Sequence, residues 1–147
     1  MLGLSQFLVK DYANARKTLA PVADQAGTSR PVEYAYAKSL LETNDVSRAV
    51  SRLQTLLKAD PGVADVHCAL GEAYAREKVQ GAAHEFETAI QLDPHDSEAH
   101  AALARLEFAA GDRKSALLQL EQAVQLEPGN AALREELAQS KASKPRL

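Results

Sequence analysis

One phrase recurs along this chain at a nearly fixed interval. "AIQLDPHDSEAH" at residues 89–100 returns at 123–134 as "AVQLEPGNAALR", and a looser form, "LLKADPGVADVH", precedes both at 56–67. The prolines set the ruler: Pro61 to Pro94 is 33 residues and Pro94 to Pro128 is 34. Ala49, Ala82 and Ala116 sit twelve residues before these prolines, Leu53, Phe86 and Leu120 eight before, and Leu56, Ala89 and Ala123 five before. Offsets of four and three place each set on one helical face. A repeat of this length limits the fold to units that stack on their neighbours, because one short unit cannot bury its own apolar face.

The unit reads as a helix, a tight turn, a second helix and a proline. Proline lacks an N–H and clashes with the preceding turn, so the second helix must end near it. Large residues followed by small ones, Tyr36-Ala37, Leu70-Gly71 and Leu103-Ala104, allow the two helices of a unit to approach closely. Asp11, Asp45 and Asp112 precede the second helices, where a side-chain oxygen can cap free N–H groups, and Gly111 helps the chain reverse. The turn "REKVQGAAH" is one residue short and has Lys78 nearest the capping place, so an irregular or tightened turn is expected there.

These residues resemble the tetratricopeptide repeat. Its pattern of Leu-Gly, an aromatic, Ala, a large residue, Ala and Pro is carried by "VHCALGEAYA" at 66–75 and "ALLQLEQAVQLEP" at 116–128. The resemblance covers nearly the whole chain and implies an all-α fold, a right-handed superhelix of stacked antiparallel helix pairs. The implied array spans 1–140: a partial repeat at 1–29, repeats at 30–63, 64–96 and 97–130, and a capping helix at 131–140. Residues 141–147 read as a flexible tail. In the partial repeat, Ala15, Leu19 and Val22 take the inner positions of the second helix, and Gly27 stands where proline would be. The chain thus reads as starting inside a repeat, and the expectation is either a piece of a longer protein, the favoured reading, or an N-terminal helix that packs on something else. Gln6 and Glu107 depart from the aromatic of the pattern. Glu107 is expected either to reach water at the rim or to pair with a basic group.

Composition narrows the function. A net charge of −3 on 147 residues gives no strong electrostatic claim on nucleic acid or anionic membranes. No apolar run approaches the roughly 20 residues that span a bilayer, and the first residues do not read as a signal peptide. Cys68 is the single cysteine, so no internal disulfide is possible. His67, His84, His95 and His100 lack the i, i+4 spacing of a helical zinc motif and read as packing residues. Cys68 lacks the partners of a nucleophile and reads as a small hydrophobe. Glu85, Glu87, Glu135 and Glu136 read as solvated helix faces, and there is no phosphate-binding glycine loop. No metal, cofactor or catalysis is expected; compartment and pathway stay unread.

The resemblance implies a concave groove lined by the first helix of each pair. Transferred by repeat position, its lining is Tyr34, Lys38, Leu41 and Glu42, then Asp65, Cys68, Glu72, Ala75 and Arg76, then Glu98, Ala101, Arg105, Phe108 and Ala109. Tyr34, Leu41 and Phe108 offer apolar anchors and Lys38, Arg76 and Arg105 cationic handles, which suits a protein or peptide partner carrying acidic and apolar residues. The asparagines of the chaperone-tail clamp are absent: position six is Ala35, Ala69 and Ala102. The resulting expectation is a protein-interaction scaffold. Its alternatives are a substrate-recruiting module of a larger enzyme or assembly machine, and a homodimer covering Leu2, Leu4, Phe7 and Leu8.

Overall fold

A computed structural model describes residues 1–143, and these form helices alone. In chain order they are α1 (Leu2–Leu8), α2 (Tyr12–Ala23), α3 (Arg30–Glu42), α4 (Val46–Ala59), α5 (Ala64–Glu77), α6 (Ala82–Leu92), α7 (Ser97–Ala110), α8 (Arg113–Leu126) and α9 (Ala131–Ala142). Each helix packs on the next, as a solenoid of antiparallel pairs requires. The odd-numbered helices α1, α3, α5 and α7 also touch one another in sequence and make up the inner row.

The repeated residues form the core. Ala49, Leu53, Phe86, Ala89, Ala116, Leu120 and Ala123 are all buried. Gly71 explains the small residue after Leu70: a Cβ there would lie 2.8 Å from the Phe86 ring, so α5 and α6 close only because it is missing. Helices α4, α6 and α8 each stop two residues short of Pro61, Pro94 and Pro128.

Capping follows the expectation at two of three sites. Asp11 accepts from the Asn14 N–H at 3.4 Å and Asp112 from Ser115 at 3.1 Å. Asp45 does not cap α4, because its carboxylate turns to Arg16 at 2.7 Å and Arg48 at 3.3 Å. Asp96 and Asn130 cap α7 and α9 instead, through the N–H groups of Ala99 and Leu133.

The short repeat does not tighten its turn. Ala82 opens α6, whereas Ala49 and Ala116 are the fourth residues of α4 and α8. The missing residue is absorbed by dropping the first helical turn, leaving a longer connection with Lys78 and Gly81 in the left-handed region.

Two further details differ from expectation. Ala23 rather than Val22 completes the buried row of α2, continuing the spacing of Ala15 and Leu19, while Val22 turns to the open end beside Leu2 and Leu4. Helix α9 continues past residue 140, held by Arg113, which donates to the carbonyls of Ser140 and Lys141, and by a Lys141–Glu121 pair at 2.7 Å. The rest of the expected tail, 144–147, lies outside the described residues. Among the described residues no helix is long and apolar enough to cross a membrane.

Candidate functional site

The inner faces of α3, α5 and α7 meet around one lysine. Lys38 is 9% exposed, and three carboxyl groups surround its ammonium: Glu72 as a hydrogen-bonded partner, Glu42 at 3.6 Å and Glu98 at 3.7 Å. Arg76 continues the network, reaching Glu42 at 3.1 Å and the Leu41 carbonyl at 2.5 Å. Three carboxyls on one buried cation cannot all ionise cheaply. Burial therefore dominates at Glu72 and pushes its pKa up to about 7, against the pull of Lys38. Burial also works against the Lys38 ammonium, but Glu72 and its neighbours hold that group charged, with its pKa above the ordinary lysine value. The charged lysine and the readily protonated Glu72 are what one cation shared among three acids requires.

Beside this network lies a cleft of 460 Å³, lined by Glu72, Ala75, Arg76, Glu98, Ala102 and Leu106 among others. A second cavity of 320 Å³ adjoins it, sharing Glu98 and Arg105 and bounded by Glu127 and Leu133. Its opposite wall is Lys10, from the α1–α2 turn. The curl of the array thus brings its N-terminal turn over the C-terminal inner surface.

The expected lining residues separate into two groups. Lys38, Glu42, Glu72, Arg76 and Glu98 come together as described, with Ala75 and Arg105 beside them. Leu41, Cys68 and Ala101 are corrections. Leu41 is 0% exposed and belongs to the core of the first two pairs. Cys68 packs with Phe86 and Leu103, and burial pushes its thiol far above the ordinary range, which suits a hydrophobe and not a nucleophile. Ala101 sits against Leu120 and Leu133. All three are spent where one inner helix meets its neighbours. Tyr34 stacks edge-on against Phe7, ring centres 6.1 Å apart, and lines a separate apolar cavity of 330 Å³ with Leu56, Val63, Asp65 and Val66. Phe108 is half-buried in the α7–α9 cluster, and Ala109 is exposed.

The cationic handles are likewise engaged. Arg105 grips Glu136 of α9 with two parallel bonds, Nε at 2.8 Å and Nη2 at 2.6 Å. Glu136 is thus a partner in the groove and not a solvated face. Ala102, Leu106, Lys10 and Glu136 were not among the expected residues. One signal could have found the ion pairs. Lys38–Glu72 and Glu42–Arg76 are each 34 residues apart, opposite charges at the same place in successive repeats.

Two of the four histidines hold structure, while His84 and His95 are exposed and do not pack. His67 Nε2 lies 2.9 Å from the Pro61 carbonyl and Nδ1 2.7 Å from Glu85; His100 repeats this with Pro94 at 3.1 Å and Gln119 at 2.6 Å. Each ties an inner helix to the preceding proline turn and to its own second helix. Glu85 is accordingly a structural partner. Glu107 meets neither expectation fully: the residue is half-buried, and its Oε2 is buried without a hydrogen-bond partner among the described residues. Burial, with Asp112 and Glu87 nearby, raises its pKa.

Tetratricopeptide repeat models match the chain over residues 34–97 and 97–140. Among solved structures, MamA superposes with a TM-score of 0.75 at 18% identity, covering 95% of this chain and 82% of its own. MamA from Desulfovibrio magneticus RS-1 gives 0.72 at 22% identity, over 88% of this chain and 73% of its own. The first TPR of Spaghetti (RPAP3), bound to the HSP90 peptide SRMEEVD, gives 0.69 at 21% identity, over 75% and 88%. At these identities the likeness is one of fold. No curated protein matches the chain in sequence.

Proposed function

This chain belongs to the tetratricopeptide repeat family, and we propose that it is a protein-interaction scaffold holding a segment of a partner across the inner row of helices. The cleft of 460 Å³ beside α3, α5 and α7 carries this reading. Ala75, Ala102 and Leu106 give it an apolar floor, and charged groups stand around them. A shallow, mixed surface of this kind suits reversible binding of a peptide segment. A partner with acidic and apolar residues keeps the apolar half of its support. The acidic half must compete with Glu72 for Lys38 and with Glu136 for Arg105.

Filling the cleft tests the reading whatever the partner's charge. Ala102→Gln adds bulk to the floor, and Leu118→Gln, at an exposed position on α8, is the control. A partner captured from a source lysate is expected to bind Ala102→Gln at least about tenfold more weakly, with helicity unchanged and with the control at full affinity. Loss through Leu118→Gln, with Ala102→Gln intact, would move the working surface to the outer helices.

Self-association is a second reading, favoured by the exposure of Leu2 (65%), Leu8 (77%) and Val9 (75%) at the N-terminal pair. Light scattering is expected to give a mass that rises with concentration and returns to that of one chain in Leu2→Ser, Leu8→Ser. A concentration-independent single-chain mass for the unaltered protein removes this reading.

A further inference from the structure

Every cation of the inner cleft is already held by an acid or a carbonyl. Lys38 has its three carboxyls, Arg76 has Glu42 and the Leu41 carbonyl, and Arg105 has Glu136. The acids are not equally satisfied. Among the described residues Glu98 has a single cation within 4 Å, Lys38 at 3.7 Å, and its side chain is 66% exposed where the two cavities meet. Burial opposes its ionisation. A hydrogen bond with Glu72 and the charges of Lys38 and Lys10 nonetheless hold the carboxyl below the ordinary range. Glu127, in the second cavity, is held low mainly by hydrogen bonds with Asn130 and Ser97, and Lys10 again adds to the effect. A lysine from the far end of the array is thus the groove's own cation for these acids. Lys10 is exposed, on a turn with φ 61°, and has no ion-pair partner within 4 Å among the described residues.

Resting on the groove reading above, we infer that the partner segment is basic: a lysine or arginine enters the cavity at Glu98 and takes the place Lys10 now lines, while small apolar residues beside it lie on Ala102, Leu106 and Leu133. Charge complementarity favours this partner over an acidic one. An incoming carboxylate would find every cation but Lys10 engaged, and would add to Glu42, Glu72, Glu98, Glu127 and Glu136. An incoming ammonium finds an acid that is exposed and ionised. Lys10 then acts as an internal competitor, because its charge must move aside or be repelled when the partner's cation arrives.

The test uses labelled, end-blocked peptides of one alanine-leucine background that differ only in carrying lysines, glutamates or serines, read by fluorescence anisotropy. The lysine peptide is expected to bind most tightly, and more weakly at high salt. Glu98→Gln is expected to weaken it about fivefold, and Lys10→Ala to tighten it about threefold, with the serine peptide unaffected by either change. Circular dichroism and urea midpoints of both variants check that the fold is kept. Tighter binding of the glutamate peptide, or a lysine peptide indifferent to Glu98→Gln, overturns the inference. If that glutamate peptide is lost in Ala102→Gln, the groove reading survives alone. If no peptide binds, both readings fall.

Discussion

Phe86→Ala is expected to lower the unfolding free energy by about 3–5 kcal/mol. The ring is 1% exposed and sits among Cys68, Ala82, Ala89, Ala99 and Leu103. Its edge rests against the bare backbone at Gly71, where even a Cβ would lie 2.8 Å away. Alanine therefore leaves a hole walled largely by helix backbone and small residues, with Leu103 on one side, and such a hole closes only in part. Phe86 also joins α5 to α6 in the middle of the array, so its loss weakens coupling between the two halves. The urea transition should shift to lower concentration and broaden. Phe86→Leu, which keeps most of the volume, should cost clearly less. A loss below about 1 kcal/mol would mean that the α5–α6 contact closes without the ring.

Lys38→Glu is expected to cost a similar amount, about 3–5 kcal/mol near pH 8, although sequence position alone places this residue on an open groove. It replaces the cation among Glu42, Glu72 and Glu98 by a further acid. The pH dependence distinguishes this cause from lost packing. In the unaltered protein Glu72 has its pKa raised from 4.5 to about 7. A raised carboxyl favours the folded state when protonated, so its contribution is fully present below 4.5 and is lost as pH rises through about 7. Glu98, shifted downward, acts oppositely: its contribution is present above the ordinary value and lost as pH falls below it. Stability should therefore decline between 4.5 and about 7, and Lys38→Glu should steepen that decline by leaving the acids unneutralised. Glu72→Gln should flatten it. Urea midpoints across this range give the slopes, and a Lys38→Glu deficit independent of pH would assign the effect to packing.

Much of the fold was legible because the information is local and repeated. Proline spacing gave the ends of the second helices, and the rows Ala49-Leu53-Leu56 and Ala116-Leu120-Ala123 gave their buried faces. What misled was treating each repeat as independent. Position within a repeat placed Leu41, Cys68 and Ala101 on an open groove, but successive inner helices pack on one another and bury these positions. Asp45 reads as a cap in its own repeat; Arg16, from the preceding one, draws its carboxylate away. The turn at Lys78 was legible as irregular. That its adjustment would remove a turn of α6 was not, since local propensity does not say which element yields. The approach of Lys10 to the Glu98 cavity depends on the curl of the whole array, which no single repeat encodes.

The pairs Lys38–Glu72 and Glu42–Arg76 have a consequence for how such an array can be rearranged. Each joins one rung to the same place on the next with the sign reversed, and at the Lys38 place the alternation continues to Arg105. The repeats are therefore not interchangeable tiles. Removing 64–96 and splicing 30–63 directly to 97–130 would bring Arg105 to the place that Glu72 holds beside Lys38, cation against cation. The charges oppose the splice at that place. In this chain the order of the repeats is written in charge, separately from the apolar pattern that makes each of them fold.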